Sequence, residues 1–352
     1  MLYARTFFRC LCSLVWAGLL LSSPSPMADK KDWIVSAHWD GKRFHNRNGS
    51  DKHLGDISRY LWTSLSNEAP WPKWVENPPA DPITDRVTSG IRATYINHAT
   101  VLIQIPGLNI LTDPVWSKRV SPVTFAGPKR VRAPGIALDA LPEIDLILIS
   151  HNHYDHLDES SIRAIAKTQP SVEFFVPLGL KSLREEWGAE HVTELDWWQQ
   201  VRHKGVTIQP TPVQHWSKRT LFDRNKTLWS GWMFEWSDFS FYFAGDAGYS
   251  DDFKKTAKRL GSPDLAAIPI GAYEPREFMK SAHINPEEAV KVFGDLGAKR
   301  AIGIHWGTFK LTLEPMTEPP LKLQKALQNS GLPEEKFRAL KHGEKWPQAM
   351  TN

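Results

Sequence analysis

Apolar and polar positions alternate in short blocks from about residue 91 to the end of the chain. Short apolar runs bounded by turn residues predict strands at 91–96, 100–105, 108–111, 144–149, 173–176, 205–210, 228–236 and 239–244. Apolar residues at spacings of three and four predict helices at 158–168, 250–260, 285–296 and 319–329. Strands that are interleaved with helices indicate a layered α/β domain.

Two of these helices have recognisable first turns. Asp158 stands at the N-cap position before the apolar face of the first helix. Asn285 precedes Pro286, which fits the first helical turn, and Glu288, which can complete a capping box. Both patterns place a loop with polar residues directly before a helix.

Residues 29–90 lack the periodicity of the rest of the chain. Trp62, Trp71 and Trp74 stand among several prolines, which disfavour long helices and central strands. We therefore expect an irregular N-terminal arm over 29–90, which lies on a core domain over 91–352.

The first 28 residues differ in composition from the rest. Arg5 and Arg9 give a positive start, an apolar run covers 10–21, and 22–28 is rich in small residues and proline. This order predicts a secretory signal peptide, and with it an exported protein that is periplasmic or membrane-associated. An uncleaved anchoring segment is the alternative, although the run is shorter than the about 20 apolar residues of a membrane span.

The charge balance and the cysteines limit which partners and which metal ligands are expected. The chain of 352 residues has a formal net charge of +4, which does not favour bulk binding to nucleic acid, so no nucleic-acid partner is expected. Its two cysteines, Cys10 and Cys12, both lie in the predicted signal peptide. The mature chain would thus have no thiolate, and any metal ion would be bound by histidine and carboxylate ligands.

The densest group of polar side chains follows the apolar run 144–149. His151, His153, Asp155 and His156 lie between a predicted strand and a predicted helix. Loops at the carboxyl ends of strands are where open α/β sheets bind ligands. Clustered imidazoles cost free energy when they are buried unpaired, and they repel one another when protonated, so a divalent metal ion is the natural compensation.

Three distant residues occupy matching positions. His215, Asp246 and His305 each follow an apolar run and precede a small or aromatic residue. Alone, each could be a surface histidine or a turn aspartate. Their recurrence at predicted strand ends groups them with the 151–156 loop.

A resemblance to one family rests on segments spread from about residue 62 to about residue 343. The segments are NHATVLIQ, TDPVW, SPVTFAGPKR, ISHNHYDHLD, FVPLGL, ELDWW, QHWSKRTL, FYFAGDAGY, DLAAIPIGAYEPR, HINPEEAV and IHWGTF. Together they resemble the N-acylphosphatidylethanolamine-hydrolysing phospholipase D family of the metallo-β-lactamase superfamily. The resemblance implies a metallo-β-lactamase-type αββα four-layer sandwich that binds two Zn²⁺ ions per chain.

The same resemblance implies a role for each candidate residue. The implied ligand set has one triad for each ion and a bridge between them: His151, His153 and His215; Asp155, His156 and His305; and Asp246. The resemblance also implies that Tyr154 and His283 contact the substrate phosphate, and that catalysis depends on Asp155, Asp246 and His283. Three imidazoles leave a zinc ion with an open position, as catalytic sites require, although iron or manganese would suit the same ligands.

Several neighbouring residues have two interpretations each. Asp113 either accepts a hydrogen bond from a ligand histidine or belongs to a strand-end turn. His98 either supports the metal site or is structural, and Lys218 and Arg219 either meet a phosphate or are solvated. The remaining histidines are expected at the surface: His38, His45, His53, His191, His203 and His342.

The resemblance implies a phospholipase D reaction. The substrate would be N-acylphosphatidylethanolamine or a related phospholipid at a membrane surface, and the products N-acylethanolamine and phosphatidate. A lactonase or thioesterase on the same metal core is the main alternative, because fold and metal ions do not determine the substrate. A diiron redox protein would have an acidic residue in place of His153, and a non-catalytic membrane-binding module would not need the full ligand set. A homodimer stays open.

Overall fold

The computed structural model describes residues 36–47, 69–182 and 186–346. The predicted signal peptide at 1–28 and Trp62 of the predicted arm lie outside the described residues, so those two interpretations stay predictions. Within the described ranges, no helix is both long and apolar enough to cross a membrane.

The described residues contain two sheets of seven strands each. The first sheet has, in spatial order, β14 (Lys345–Trp346), β1 (Arg92–Asn97), β2 (Thr100–Ile105), β3 (Leu108–Thr112), β4 (Leu146–Leu148), β5 (Glu173–Pro177) and β6 (His191–Leu195). The second sheet has, in spatial order, β13 (Phe337–Arg338), β12 (Arg300–Ile304), β11 (Leu265–Pro269), β10 (Phe239–Phe243), β9 (Gly231–Trp236), β8 (Val206–Thr211) and β7 (Val201–His203).

The two sheets have the same pairing pattern. Neighbouring strands are antiparallel from β14 to β3 and from β7 to β10. They are parallel from β3 to β6 and from β10 to β13. Consequently β1, β3 and β4 run in one direction in the first sheet, and β8, β10 and β12 do so in the second. The carboxyl ends of each set lie at a single edge of its sheet.

Helices flank both sheets. In the described residues they are α1 (Glu159–Thr168), α2 (Asp252–Leu260), α3 (Arg276–Met279), α4 (Pro286–Leu296) and α5 (Glu318–Asn329), together with 3₁₀ turns at Leu138–Ala140 and Glu334–Lys336. α4 packs on β11 and on both α2 and α5, so these three helices form one layer against the second sheet.

Buried apolar clusters join the layers. Ile162 and Ile165 of α1 pack with Ile147 and Phe174 on one face of the first sheet. Because successive strand residues point to opposite faces, the other face packs in the larger cluster with the second sheet and α4, as Val101 does. The order of α1, first sheet, second sheet and the α2–α4–α5 layer confirms the predicted αββα four-layer sandwich.

Of the two predicted helix starts, one has the predicted capping hydrogen bonds and the other does not. At α4 the Asn285 side chain accepts a hydrogen bond from the Glu288 amide, and the Glu288 side chain reaches back to the Asn285 amide, so the capping box is confirmed. Asp158 is at the N-cap of α1, but its carboxylate makes no capping bond. It accepts hydrogen bonds from the amide and the hydroxyl of Ser117 instead. Asp158 thus fastens the loop between β3 and β4 to α1.

The described part of the N-terminal arm packs on the core. Within 36–47 and 69–91 there is no helix or strand, and the only regular backbone pairing is an isolated β-bridge between Trp39 and Phe44. Asn46 donates a hydrogen bond to the His215 carbonyl at 2.8 Å and accepts one from its amide at 3.0 Å. The arm therefore contacts the backbone of a predicted metal ligand. The boundaries at residues 28 and 90 stay predictions.

Candidate metal centre

The predicted ligands meet at the edge of the sandwich where the carboxyl ends of six strands lie. Together with two residues that were not predicted as ligands, His98 and Asp113, they follow β1, β3 and β4 in the first sheet and β8, β10 and β12 in the second: His98, Asp113, the 151–156 loop, His215, Asp246 and His305. Both halves of the sandwich therefore contribute side chains to one place, as the strand-end positions predict.

The backbone is strained where these strands end. His98, Asp113 and His305 have φ angles of 47°, 29° and 63°, a region that costs a residue other than glycine about 1 kcal/mol or more. Gly245, with φ of 59°, lies so close to the ligand loop that a Cβ there would be 2.6 Å from the Ser150 Cβ. A glycine is therefore required for the loop after β10 to approach the loop after β4.

The side chains form overlapping groups, in each of which the potential ligand atoms all lie within 4.8 Å of one another. Two groups have four members: His151, His153, His215 and Asp246; and His98, Asp155, His156 and His305. Two groups of three overlap with these and include Asp113 and His283. The structure thus brings all seven predicted ligands together and adds His98. That these residues act as ligands stays a prediction.

Asp246 lies between the two groups and faces both. Its Oδ2 is 3.1 Å from His156 Nε2, 3.8 Å from His215 Nε2 and 4.0 Å from His151 Nε2. Its Oδ1 is 3.1 Å from His305 Nε2. Two ligands of a tetrahedral zinc ion are about 3.4 Å apart when each bond is about 2.1 Å. The four separations bracket that value.

The innermost nitrogen and oxygen atoms are better placed to bind a cation than to form hydrogen bonds with one another. His156 Nε2, His305 Nε2 and Asp246 Oδ1 are buried and make no hydrogen bond of acceptable geometry with any described residue. Nevertheless, nitrogen and oxygen approach to 3.1 Å. These atoms therefore converge on one place without pairing in line. Imidazole and carboxylate are ligands that zinc, iron and manganese accept, so the residues present fit a divalent ion.

One half of the site attracts positive charge. Burial lowers a histidine pKa, but Asp246 and Asp155 outweigh burial at His156 and raise its pKa well above the ordinary value. At His305 the same two carboxylates overcome burial and raise the pKa to about 9. Burial opposes ionisation of Asp246 as well, yet the neighbouring histidines hold its pKa well below the usual range.

The other half of the site keeps neutral imidazoles. Burial and the neighbouring histidines lower the pKa of His151 and of His153 well below 6.5. Burial, partly offset by Asp246, lowers the pKa of His215 to about 4. His153 Nδ1 lies 2.6 Å from His151 Nε2 and 3.3 Å from His215 Nε2. Three neutral nitrogens therefore converge, and the neutral form is the one that binds a metal ion.

Hydrogen bonds behind the ligands set their orientation. Asp113 accepts one from His156 Nδ1 at 2.6 Å and another from the Ser150 amide at 2.7 Å. The Ala282 carbonyl accepts one from His215 Nδ1 at 2.9 Å. In both histidines the outer nitrogen is engaged, so Nε2 points to the centre of the site. Of the two interpretations of Asp113, the structure favours support of a ligand histidine.

His98 is part of the centre, so it is more than a structural residue. Its Nε2 lies 2.9 Å from Asp155 Oδ2, and its ring centroid is 4.0 Å from that of His305. Burial and the charge of His305 lower the pKa of His98 to about 3, so the ring is neutral and can donate a hydrogen bond to Asp155. Its position at the end of β1, like that of the other candidates, was the available signal.

His342 is buried, and the prediction that it lies at the surface is wrong. Its ring packs edge-on against Tyr95, and its Nε2 lies 2.8 Å from Thr308 Oγ1. These partners are distant in sequence, so no local pattern indicates the burial. Among the other histidines expected at the surface, two are exposed, two are half-buried and one lies outside the described residues: His45 and His191; His38 and His203; and His53.

The residues expected to contact substrate lie beside the ligands. His283 Nδ1 is 3.9 Å from Asp246 Oδ2, and 12% of the His283 side chain is exposed. Tyr154 is half-buried, and its hydroxyl donates a hydrogen bond to the Arg219 carbonyl at 3.1 Å. His283 therefore faces the centre, whereas the Tyr154 hydroxyl is directed at backbone. Contact with substrate stays a prediction for both.

Arg219 holds the ligand loop, so it is neither a solvated residue nor an open phosphate ligand. Its Nη1 donates hydrogen bonds to the carbonyls of Asn152 and Leu157, at 3.0 and 2.7 Å, one at each end of the loop. Its guanidinium lies 4.0 Å from the centre of the Tyr154 ring. Lys218 contributes a backbone contact, since its amide donates to Asn152 Oδ1 at 2.8 Å.

Comparison with known proteins supports the same fold and family. Residues 108–306 match the model of the beta-lactamase superfamily domain. The solved structure of a possible metal-dependent hydrolase from Veillonella parvula superposes with a TM-score of 0.59 at 19% identity, covering 73% of this chain and 99% of that one. At this identity the similarity establishes the fold alone.

Two relatives define the family more closely. The chain is 46% identical over 270 residues to N-acyl-phosphatidylethanolamine-hydrolyzing phospholipase D 1 of Caenorhabditis elegans, which covers 73% of this chain and 76% of the relative. It is 39% identical over 238 residues to the mitochondrial N-acyl-phosphatidylethanolamine-hydrolyzing phospholipase D of Saccharomyces cerevisiae, covering 66% of this chain and 50% of the relative. This chain therefore belongs to the N-acylphosphatidylethanolamine-hydrolysing phospholipase D family, within the beta-lactamase superfamily of metal-dependent hydrolases.

Proposed function

We propose that this protein hydrolyses a phosphodiester bond of N-acylphosphatidylethanolamine, or of a related phospholipid, and releases N-acylethanolamine and phosphatidate. The proposal rests on one observation: Asp246 faces two groups of histidines at once. Two ions that share a bridging carboxylate need this arrangement. The substrate class comes from the two relatives, which are named for this hydrolysis.

Two zinc ions would complete the proposed site. The ligands are divided into one triad for each ion and a shared bridge: His151, His153 and His215; Asp155, His156 and His305; and Asp246. The separation of these residues into two groups, with Asp246 in contact with both, supports the division. His98 is placed behind Asp155, because its hydrogen bond engages a carboxylate oxygen of that ligand.

Bound ions would polarise the phosphoryl oxygens and bring the pKa of a neighbouring water to about 7. The side chains orient the reactants. Asp246 stays ionised, because its pKa is held low, and accepts a hydrogen bond from the attacking water. His283 donates a hydrogen bond to a phosphoryl oxygen from its partly exposed position beside Asp246. The water oxygen bonds to phosphorus and gives up a proton. The bond from phosphorus to the ester oxygen of the N-acylethanolamine group breaks, and this departing oxygen takes up a proton in place of the one that the water lost.

The function and the ligands can be tested on the purified protein. Bound metals are measured, and N-acylethanolamine release is followed in mixed micelles. His151→Ala and His215→Ala should each lower metal content and activity, whereas His191→Ala, an exposed histidine of β6, is the matched control. Lactone and thioester substrates run in parallel, and hydrolysis of these alone would indicate the other enzyme class. Full metal retention in both ligand variants would contradict the assignment.

The proposed location is the periplasm or a membrane surface, reached by export. The positive start, apolar run and small residues of 1–28 support it, although the yeast relative is named as a mitochondrial protein. The intact mass of protein from the native host is the test. A mature chain that begins between about Ser22 and Asp32 is expected. A full-length cytosolic species would rule export out.

A further inference from the structure

Large apolar side chains are exposed on two loops near the metal centre. The 117–130 loop exposes 65% of Phe125, and the 216–226 loop exposes 50% of Leu221 and 75% of Phe222. Soluble proteins seldom gather exposed apolar side chains at one place unless a partner covers them. Elsewhere in the described residues, large apolar side chains are exposed at two scattered positions, Trp74 and Leu321.

Both loops lie beside the metal centre. In the 216–226 loop, the Trp216 ring lies edge-on to His153, with centroids 4.3 Å apart. The 117–130 loop packs on Phe309, whose ring centroid is 5.2 Å from that of His98. Tyr154 links the loops, since its hydroxyl bonds the second loop and its ring packs against the apolar cluster of the first. Both loops are therefore anchored beside the metal centre.

The same loops concentrate positive charge. They contain eight basic residues and one acid, Asp223, although the whole chain has 43 basic and 39 acidic residues. Asp223 is engaged, because it accepts hydrogen bonds from the amides of Arg219 and Thr220. The rest of the chain thus has an excess of acids. Apart from Arg219, which holds the ligand loop, six basic residues of the two loops are exposed or half-buried: Lys118, Arg119, Lys129, Lys218, Arg224 and Lys226.

Internal hydrogen bonds hold both loops in shape. Arg119 Nη1 donates to the Gly127 carbonyl at 2.5 Å across the first loop. Ser217 Oγ donates to the Thr227 carbonyl at 2.6 Å across the base of the second. The tips are therefore presented in place, and a binding partner need not order them. A preformed surface binds with a smaller loss of conformational entropy than a mobile one.

On the basis of the proposed phospholipase function, we propose that the 117–130 and 216–226 loops dock the protein on a bilayer that contains anionic phospholipid. The apolar tips enter the boundary between headgroups and acyl chains, where aromatic rings are favoured. The basic residues face the lipid phosphates. The metal centre between the loops then lies at headgroup level, so that a lipid phosphodiester reaches it while the acyl chains stay near the bilayer.

Co-sedimentation with vesicles measures docking without requiring hydrolysis. The full chain is mixed with phosphatidylcholine vesicles that contain or lack phosphatidylglycerol. Binding to the anionic vesicles is expected, and it should weaken as salt is added. The double variant Phe125→Ser, Phe222→Ser should lower the partition coefficient at least about tenfold, because two apolar side chains leave the interface. Leu321→Ser on α5, where 64% of the leucine is exposed, is the matched control and should bind normally.

A second pair of variants tests the charge. Lys118→Glu with Lys129→Glu should reduce binding to the anionic vesicles at least about tenfold. Lys325→Glu, an exposed lysine of α5, is the control and should change binding little. Melting temperatures and metal content check that each variant is folded.

Several results would overturn the docking surface. The proposal would be contradicted if wild-type protein bound neither vesicle type. It would also be contradicted if the double variants bound as well as wild type. A dimer in lipid-free solution that dissociates in the Phe125→Ser, Phe222→Ser variant, without vesicle binding by the wild type, would assign the tips to a second copy of the chain. The tests of docking and of function can be distinguished. Hydrolysis in micelles without vesicle binding would contradict only the docking proposal. Vesicle binding without hydrolysis would contradict only the proposed function.

Discussion

Replacement of Asp246 by Asn separates catalysis from the mere binding of metal ions. The substitution keeps the size of the side chain and one oxygen but removes the negative charge that faces both histidine groups. Two cations in the site would then repel each other with less compensation, and the attacking water would lose an acceptor. The substitution should therefore lower the reactivity of the attacking water more than the stability of the fold.

The expected magnitude follows from the position of Asp246 between the groups. Loss of a group that only orients a ligand commonly costs 10–100-fold in affinity or activity. Asp246 is itself within 3.1 Å of His156 and His305 and within 4.0 Å of His151 and His215. A change that affects both groups should cost at least about 100-fold in turnover, which corresponds to about 2.7 kcal/mol in the activation barrier.

The assay combines N-acylethanolamine release with metal analysis and a melting curve. Asp246→Asn should be soluble and folded, with reduced occupancy of one metal ion and activity down at least about 100-fold. Asp238→Asn, at an exposed position in the turn between β9 and β10, is the matched control and should resemble wild type. Near-normal turnover by Asp246→Asn with both ions bound would refute the bridging role, and the mechanism would need another carboxylate.

Three further predictions concern the supports and the protons of the site. Arg219→Lys keeps the charge but loses the guanidinium group that donates hydrogen bonds to the Asn152 and Leu157 carbonyls. Zinc should therefore be lost to a competing chelator about 10-fold more readily. Unchanged competition would show that the ligand loop does not need this support. His98→Ala should weaken the ion bound beside Asp155 by about 10-fold, measured as metal content after dialysis, while His98→Gln, which retains a donor, should lose less. The pKa of His305, raised to about 9, means that a proton competes with metal below that pH; zinc affinity should therefore rise from neutral pH towards 9 with proton release, and a pH-independent affinity would contradict this.

Most of the fold could be predicted because long apolar runs mark the central strands. The strands that were not predicted are either polar or contain alanine, glycine or proline. β6 and β7 are edge strands with several exposed or half-buried polar residues, such as His191 and Arg202. β11 is buried throughout, but it contains two alanines and a proline, which are uncommon in strands. Burial of such segments is determined by the neighbouring strands and helices, which the local sequence does not show.

The predicted ligands could be found because each stands at the end of an apolar run and is costly to bury without a partner. Their supports could not, because those contacts cross large sequence separations. Arg219 reaches a carbonyl 67 residues away, and His342 bonds a threonine 34 residues away. The Asp158 side chain shows the same limit, since its position at the start of α1 was predicted but its bonds to a residue 41 positions away were not.

The repeated pairing pattern of the two sheets makes the metal centre a link between the two halves of the chain. A cut within residues 196–200, between β6 and β7, would leave the 151–156 loop on one fragment and His215, Asp246 and His305 on the other. Neither fragment would have a complete set, so the centre exists only when both halves are packed together. In the present chain, bound ions would cross-link the two halves, and their removal should expose the seam between the sheets to proteolysis before either sheet unfolds.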